Sequence, residues 1–263
     1  NLQIKEIDIT KYRSGDITKH VDFVAEESPL QIKCDSKAMS ITMRTPGDDI
    51  ALTLGFMFTE GLLKDFDEVA DVVQEDDNTV NVMLEAGTKI EAKNLERNFY
   101  STSSCGVCGK ASVDAIMAQS MYSQAENDMK IDGKILFALQ EKLLAVQSAF
   151  EMTGGLHACA IFSPEGDYLF HSEDVGRHNA LDKLIGHAFM AGRIPLDKHI
   201  LLLSGRASFE LIQKASMAGI SCIVAVGAPS SLAVELAKEN KLTLVRFLKK
   251  SGFNIYSGSQ RIL

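Results

Sequence analysis

Ile200-Leu201-Leu202-Leu203-Ser204-Gly205-Arg206-Ala207-Ser208 and Cys222-Ile223-Val224-Ala225-Val226-Gly227-Ala228-Pro229-Ser230 decide how the chain folds. Each is a short apolar run that breaks into small residues and then passes into helical spacing, over Ser208–Ala218 and Ser230–Glu239. A third run, Leu242–Leu248, closes the series. Apolar runs of this length separated by helices indicate parallel strands buried on both faces. Moving back along the chain, Arg177–Ala191 places Ala180, Leu181, Leu184, Ile185 and Ala188 on one side of a helix. Before it, His157–Phe162 and Tyr168–His171 flank the turn Ser163-Pro164-Glu165-Gly166-Asp167. Earlier still, Asp132–Phe150 reads as one helix with Ile135, Leu136, Leu139, Leu143 and Val146 on a common face. The predicted order is helix–strand–strand–helix–strand–helix–strand–helix–strand, an α/β layered half.

The first half reads differently. Ile4–Tyr12, Thr18–Ala25, Leu30–Cys34 and Ser40–Thr45 read as strands, Thr45-Pro46-Gly47-Asp48 as a turn and Asp49–Glu60 as a helix. Val69–Gln74 and Thr79–Leu84 read as a hairpin around Glu75-Asp76-Asp77-Asn78. The polar stretch Gln124–Lys130 is the expected boundary between an α+β lobe, 1–130, and an α/β domain, 131–263.

The composition, 46% hydrophobic and 24% charged over 263 residues, is that of a globular protein with a sizeable core. No window approaches the roughly 18–20 apolar residues of a membrane span. The first residues, Asn1 to Lys5, lack a secretory pattern and an initiator Met, so the expectation is a cytoplasmic protein trimmed by a few residues. A net charge of −8 argues against general nucleic-acid binding. The charge is uneven: residues 1–130 carry 13 basic and 23 acidic side chains, residues 131–263 carry 14 and 12. An anionic ligand fits the second half better. Five cysteines in a chain this long do not make a disulfide framework. Cys34, Cys159 and Cys222 sit among apolar residues and read as buried thiols.

Cys105 and Cys108 differ. Ser103-Ser104-Cys105-Gly106-Val107-Cys108-Gly109-Lys110 is a Gly-rich turn ahead of an apolar-periodic stretch from Ala111 to Met121. A helix N-terminus and the Lys110 cation both favour the thiolate, the form that attacks the terminal sulfur of a persulfide. Other readings stay open. Half a zinc site would need two more ligands, for which only His157-x-Cys159 offers a compact pair. A thioredoxin-like pair should follow a strand in a βαβ unit. Turn cysteines without a role are the third option.

Three further stretches lie between a strand and a helix. In Glu173-Asp174-Val175-Gly176-Arg177-His178-Asn179-Ala180, Arg177 and His178 could donate to a phosphate or a heterocycle edge; alternatively Asp174 caps the helix and pairs with Arg177. In Ser204–Ser208, Gly205 permits close approach and Arg206 can fork onto a phosphate. Gly227-Ala228-Pro229 repeats the arrangement. The segment Phe247-Leu248-Lys249-Lys250-Ser251-Gly252 runs off the last predicted strand, and its two lysines either meet phosphates or form a solvated strand end.

At these residues the sequence resembles the FdhD family, the formate dehydrogenase accessory sulfurtransferases. The likeness is carried by Gly55-Phe56 to Glu60-Gly61, Ser104–Gly109, Thr153-Gly154-Gly155-x-His157, Glu173–Lys183, Ser204–Glu210 and Leu242-Thr243-Leu244, in that order along nearly the whole chain. The resemblance implies a persulfide on Cys105 with Cys108 assisting, and sulfur received from a cysteine desulfurase. The sulfur would pass to the molybdenum of a bis(molybdopterin guanine dinucleotide) cofactor, activating formate dehydrogenase. The cofactor is implied to bind at Phe247, Leu248, Lys249, Lys250, Ser251 and Gly252 of a homodimer. A cytidine-deaminase-like, three-layer second half is implied too. Members often carry Arg in the last segment; Lys249 and Lys250 can meet phosphate only as point charges. A zinc-dependent deaminase would need His-x-Glu or Cys-x-Glu on one helix and Pro-Cys-x-x-Cys on the next. The helix starts Arg177-His178-Asn179-Ala180 and Gly205-Arg206-Ala207-Ser208 offer no such set, and no zinc is expected. The remaining alternative is a non-catalytic chaperone that binds the cofactor for formate dehydrogenase.

Overall fold

A computed structural model of the chain describes residues 3–88, 90, 122, 128–249 and 252–263, with the backbone alone at 248 and 249. Strands β1 (Ile4–Arg13) and β2 (Asp16–Ala25) pair as a two-stranded ribbon. Strands β3 (Ser28–Cys34), β4 (Lys37–Arg44), β5 (Val69–Asp76) and β6 (Thr79–Leu84) form a sheet of order β4-β3-β6-β5. Helix α1 (Asp49–Thr59) links its two halves. The alternation Leu30, Ile32, Cys34 on β3 and Val80, Val82 on β6 turns one face of this sheet inward, into the same apolar core as Leu52, Leu54, Met57 and Phe58 of α1.

The second half is built on a six-stranded sheet of order β12-β11-β10-β9-β7-β8. Its strands are β7 (His157–Phe162), β8 (Tyr168–Asp174), β9 (Ile200–Leu203), β10 (Cys222–Ala225), β11 (Thr243–Lys249) and β12 (Gly252–Ser257). Strands β9, β10 and β11 are parallel, as their apolar runs predict. Period-two alternation then assigns each residue a face. Ala158, Ala160, Phe162, Ile200, Leu202, Cys222 and Val224 join a core with Leu136, Leu139 and Leu143 of α2 (Gly133–Leu144). Cys159, Ile161, Leu201, Leu203, Ile223 and Ala225 share the other core with α4 (Arg177–Met190), α5 (Phe209–Met217) and α6 (Ser231–Glu239). The α/β layering expected from the order of elements is present, and it has the three layers that the resemblance implies. No helix among the described residues is long and apolar enough to cross a membrane.

Two expectations need correction. Asp132–Phe150 is not one helix: α2 ends at Leu144 and α3 (Ser148–Thr153) starts afresh. The break is at Gln147, whose backbone leaves the helical region (φ −88°, ψ 65°) while its amide donates to Glu173 at 2.9 Å. Nor is β11 the last strand. Phe247–Gly252 spans the end of β11 and the first residue of β12, which returns antiparallel with Phe247 opposite Phe253 and Lys249 opposite Gly252.

The two halves meet through α1 and α4, which cross at two glycines. A Cβ on Gly55 would lie 1.8 Å from the Asp182 carbonyl oxygen, and one on Gly186 would lie 1.8 Å from that of Ala51. Around this crossing the buried charges are paired. Lys214 donates to Asp182 (2.9 Å), Glu60 (3.2 Å) and the Thr59 hydroxyl (2.9 Å), and Thr59 donates to Asp182 (2.8 Å). Burial opposes the charge on Lys214, but the Asp182 and Glu60 carboxylates outweigh it and hold its pKa above the ordinary value. Lys183 pairs with Asp174 at 2.8 Å and donates to the Thr45 carbonyl at 2.8 Å. Arg44 grips Asp49 through two bonds of 2.8 and 2.9 Å. Deleting one partner of such a pair strands a buried charge, which costs about 3–5 kcal/mol.

Candidate functional site

Strand direction decides what gathers at one edge of the large sheet. Strand β7 is antiparallel to β8 and to β9, so β8 runs with β9, β10 and β11. The carboxyl ends of those four strands therefore share an edge with the start of β7. Open α/β sheets bind ligands along such an edge. Gly176-Arg177-His178 emerges there from β8, Ser204-Gly205-Arg206 from β9 and Val226–Ser230 from β10, and β11 ends there at Lys249. Helix α6 is capped by Ser230, whose hydroxyl accepts from the Ala233 N–H at 3.3 Å. Helices α4 and α5 start at Gly176 and Ser208 without a side-chain cap bond. Their first-turn N–H groups favour an anion.

Four basic side chains cluster at the edge: His157, Arg177, His178 and Arg206. Burial lowers the pKa of His157, and the charges of Arg177, His178 and Arg206 lower it further against the opposing pull of Asp174. Its imidazole is thus neutral at neutral pH, with one donor and one acceptor. Gly205 lets that ring lie close, since a Cβ there would be 3.3 Å from His157 Nδ1. Gly227 fits the next loop against it, because a Cβ would meet the Arg206 backbone nitrogen at 2.7 Å. Arg177 Nε is buried without a hydrogen-bond partner, whereas Arg206 is exposed. Asp174 pairs with Lys183 and accepts from the Gly176 N–H at 2.8 Å, so it is Lys183 and not Arg177 that neutralises it. Glu210, in the first turn of α5, lies 3.9 Å from His178 Nε2. The neighbouring His178 imidazole, with help from its own backbone N–H and Ser208, pushes its carboxyl down to about 2 despite burial.

Beside the cluster lies a cavity of about 350 Å³ between the sheet edge and the α2–α3 break. Leu143, Leu144, Phe150, Leu156 and Val226 supply apolar walls. Gln147, His157 and Ser204 supply polar groups, and Gly154, Gly155 and Gly205 keep the rim open. Ser204 Oγ accepts from the Ala158 N–H at 2.9 Å, which leaves its O–H free to donate. Apolar walls, a few polar groups and adjacent cations suit a planar heterocycle carrying phosphate.

The structure thus unites Arg177, His178 and Arg206. Of the predicted Phe247–Gly252 segment, Phe247 and Gly252 are half-buried in the hairpin; Lys250 and Ser251, and the side chains of Leu248 and Lys249, lie outside the described residues. So do Cys105 and Cys108. Cys34, Cys159 and Cys222 are buried, and burial pushes their thiols up, Cys34 to about 11 and Cys222 to about 12. That makes Cys159 a poor second ligand beside His157. No group of three or more His, Cys, Asp or Glu among the described residues is placed to hold a metal. Sequence reasoning missed Gln147; it quoted Glu173, Glu210 and His157 within the motifs of the resemblance but gave them no part in a ligand pocket, weighing His157 only as a metal ligand. The glycine pair before His157 was the available signal.

The sequence profile of the FdhD/NarQ family matches residues 25–263. A protein described as sulfur carrier protein FdhD from Streptomyces avermitilis is 46% identical, over 97% of this chain and 94% of its own. One from Saccharolobus solfataricus is 40% identical over 99% of each chain, and one from Mycobacterium tuberculosis 43% over 91% of each. The crystal structure of a chain assigned as a formate dehydrogenase accessory protein, from Desulfotalea psychrophila, superposes with a TM-score of 0.80. It covers 99% of this chain and all of its own at 22% identity, and so shows the fold. With a profile match over most of its length and relatives at this level of identity, the chain belongs to the FdhD/NarQ family.

Proposed function

We propose that this protein is a sulfurtransferase that loads sulfur on Cys105 and delivers it to a molybdenum cofactor held at the sheet edge. Its relatives' description as sulfur carriers supports the first part. The observation that carries the second is the joint presence of the Arg177–His178–Arg206 cluster and the cavity of about 350 Å³ beside it. The cofactor is the substrate that receives the sulfur. Each molybdopterin guanine dinucleotide arm offers fused heterocycles for the cavity and a diphosphate for the cations and the two uncapped helix starts. Lys249, the last residue of β11, and Lys250, which follows it in sequence, are the further cations proposed to meet the phosphates.

In the loading step the Cys105 thiolate attacks the terminal sulfur of a cysteine desulfurase persulfide. The desulfurase thiolate leaves, and Cys105 carries the extra sulfur. In the delivery step the Cys108 thiolate attacks the Cys105 sulfur. Hydrosulfide leaves and would replace an oxygen ligand of molybdenum, which departs as water after taking up a solvent proton, and a Cys105–Cys108 disulfide remains for a thiol reductant to open. Formate dehydrogenase is the client, the working form is a homodimer and the compartment is the cytoplasm.

The test is mass spectrometry of the full chain after incubation with a desulfurase and cysteine. One added sulfur should map to the peptide holding Cys105 and vanish in Cys105→Ala. A Cys105→Ala protein that still activates formate dehydrogenase fully would leave only a non-catalytic chaperone.

A further inference from the structure

Gln147 is a buried and hydrogen-bonded polar group of the cavity. It interrupts the helix that its neighbours would otherwise continue, and it is 3% exposed. Its Nε2 donates to Glu173 Oε1 at 2.9 Å. A carboxylate only accepts, so this bond fixes which way round the amide sits and leaves Oε1 as the acceptor. Ser204 also lines the cavity; its oxygen already accepts from Ala158, so its O–H is the donor. One fixed acceptor and one donor, between the apolar walls of Leu143 and Phe150, match a ring that presents an N–H beside a C=O.

We infer that Gln147 and Ser204 select a lactam edge, Gln147 accepting from the ring N–H and Ser204 donating to the carbonyl. Guanine and pterin rings carry that edge and adenine does not. Gln147 is the specificity residue, and Glu173 is a positioning residue that acts through it. The inference rests on the reading that this edge binds the cofactor, and it adds which group of the cofactor enters the cavity and what reads it.

Calorimetry on the full chain with GDP, ADP, neopterin and inorganic pyrophosphate tests it. With a guanine in the cavity, the wild type binds GDP roughly tenfold more tightly than ADP, the worth of one buried hydrogen bond. Gln147→Ala brings the ratio near one while pyrophosphate affinity holds. With a pterin in the cavity, GDP and ADP bind alike, and Gln147→Ala weakens neopterin about tenfold instead. Glu173→Gln lets the amide turn over and should narrow the same preference while Gln147 is still present. A merely structural role would not move a ratio between ligands, and melting temperatures identify a variant that has lost its fold. Preferences unchanged in both folded variants overturn the assignment and leave the cofactor site standing. A wild type that binds none of the four probes overturns the site and the assignment together.

Discussion

Gly55→Ala sets two effects of opposite sign against each other. Gly55 is inside α1, and replacing a helix-interior glycine with alanine ordinarily stabilises by about 0.5–1 kcal/mol. Here the added methyl would fall 1.8 Å from the Asp182 carbonyl oxygen and 2.9 Å from the Gly186 nitrogen, both backbone atoms that cannot swing aside. Ordinary contact starts near 3.4 Å, so α1 and α4 would have to part by roughly 1.5 Å. Overpacking of this kind costs about 1–3 kcal/mol. The displacement would also stretch the Thr59–Asp182 and Lys214–Asp182 bonds, which add a fraction of the about 3–5 kcal/mol that a disrupted buried pair can cost. The net expectation is a loss of about 2–3 kcal/mol, measured as a shift of the urea midpoint at constant slope. Gly186→Ala should behave alike. The double variant should cost less than the two together, because helices already parted by one methyl accommodate the second. A Gly55→Ala protein as stable as wild type, or more so, would refute the close crossing.

Iodoacetamide at neutral pH should spare Cys34, Cys159 and Cys222 in the native protein and modify all five cysteines once urea is added; rapid native labelling of Cys34, whose thiol is pushed up to about 11, would contradict its burial. Glu210 bears on acid stability. Its carboxyl is depressed from an ordinary 4.5 to about 2, so its contribution is complete above pH 4.5 and is lost as the pH falls towards 2. Glu210→Gln should flatten the decline in melting temperature over that window, and an unchanged slope would show that the His178 contact contributes nothing. Replacing Lys249 and Lys250 together with Ala should weaken GDP binding several-fold in calorimetry through the loss of charge-assisted contacts to phosphate. Equal affinity would remove the β11–β12 hairpin from the site.

The parts of the fold that were legible in the sequence are those set by local pattern. Ile200–Leu203 and Cys222–Ala225 are continuous apolar runs because helices cover both faces of their sheet, and their direction follows from the helices between them. Arg177, His178 and Arg206 could be grouped for the same reason, since parallel strands put every strand-to-helix turn at one edge. What escaped depends on distant partners. His157 opens an antiparallel strand and joins the edge only because β7 sits between β8 and β9. The apolar spacing of Leu143 and Val146 runs on through Gln147, so nothing local announces that the helix ends there or that Gln147 meets a carboxyl group on β8. Gly55 and Gly186 look like ordinary helix glycines until α1 and α4 are seen to touch. Strand β12 went unseen because Phe247–Gly252 read as running off a last strand, although Phe253, Ile255 and Tyr256 follow closely.

Helix α4 presents its first turn to the ligand edge, while its middle is notched into α1 and its Lys183 and Asp182 are held by Thr45 and Thr59. The α4 side of the ligand edge is thus anchored well before any guest arrives. Complexation there should spend little free energy on ordering the receptor, and its entropy should be correspondingly mild. Loosening the helix crossing, far from any atom the guest touches, would then register in calorimetry as an entropic handicap while the enthalpy of the contacts stayed the same.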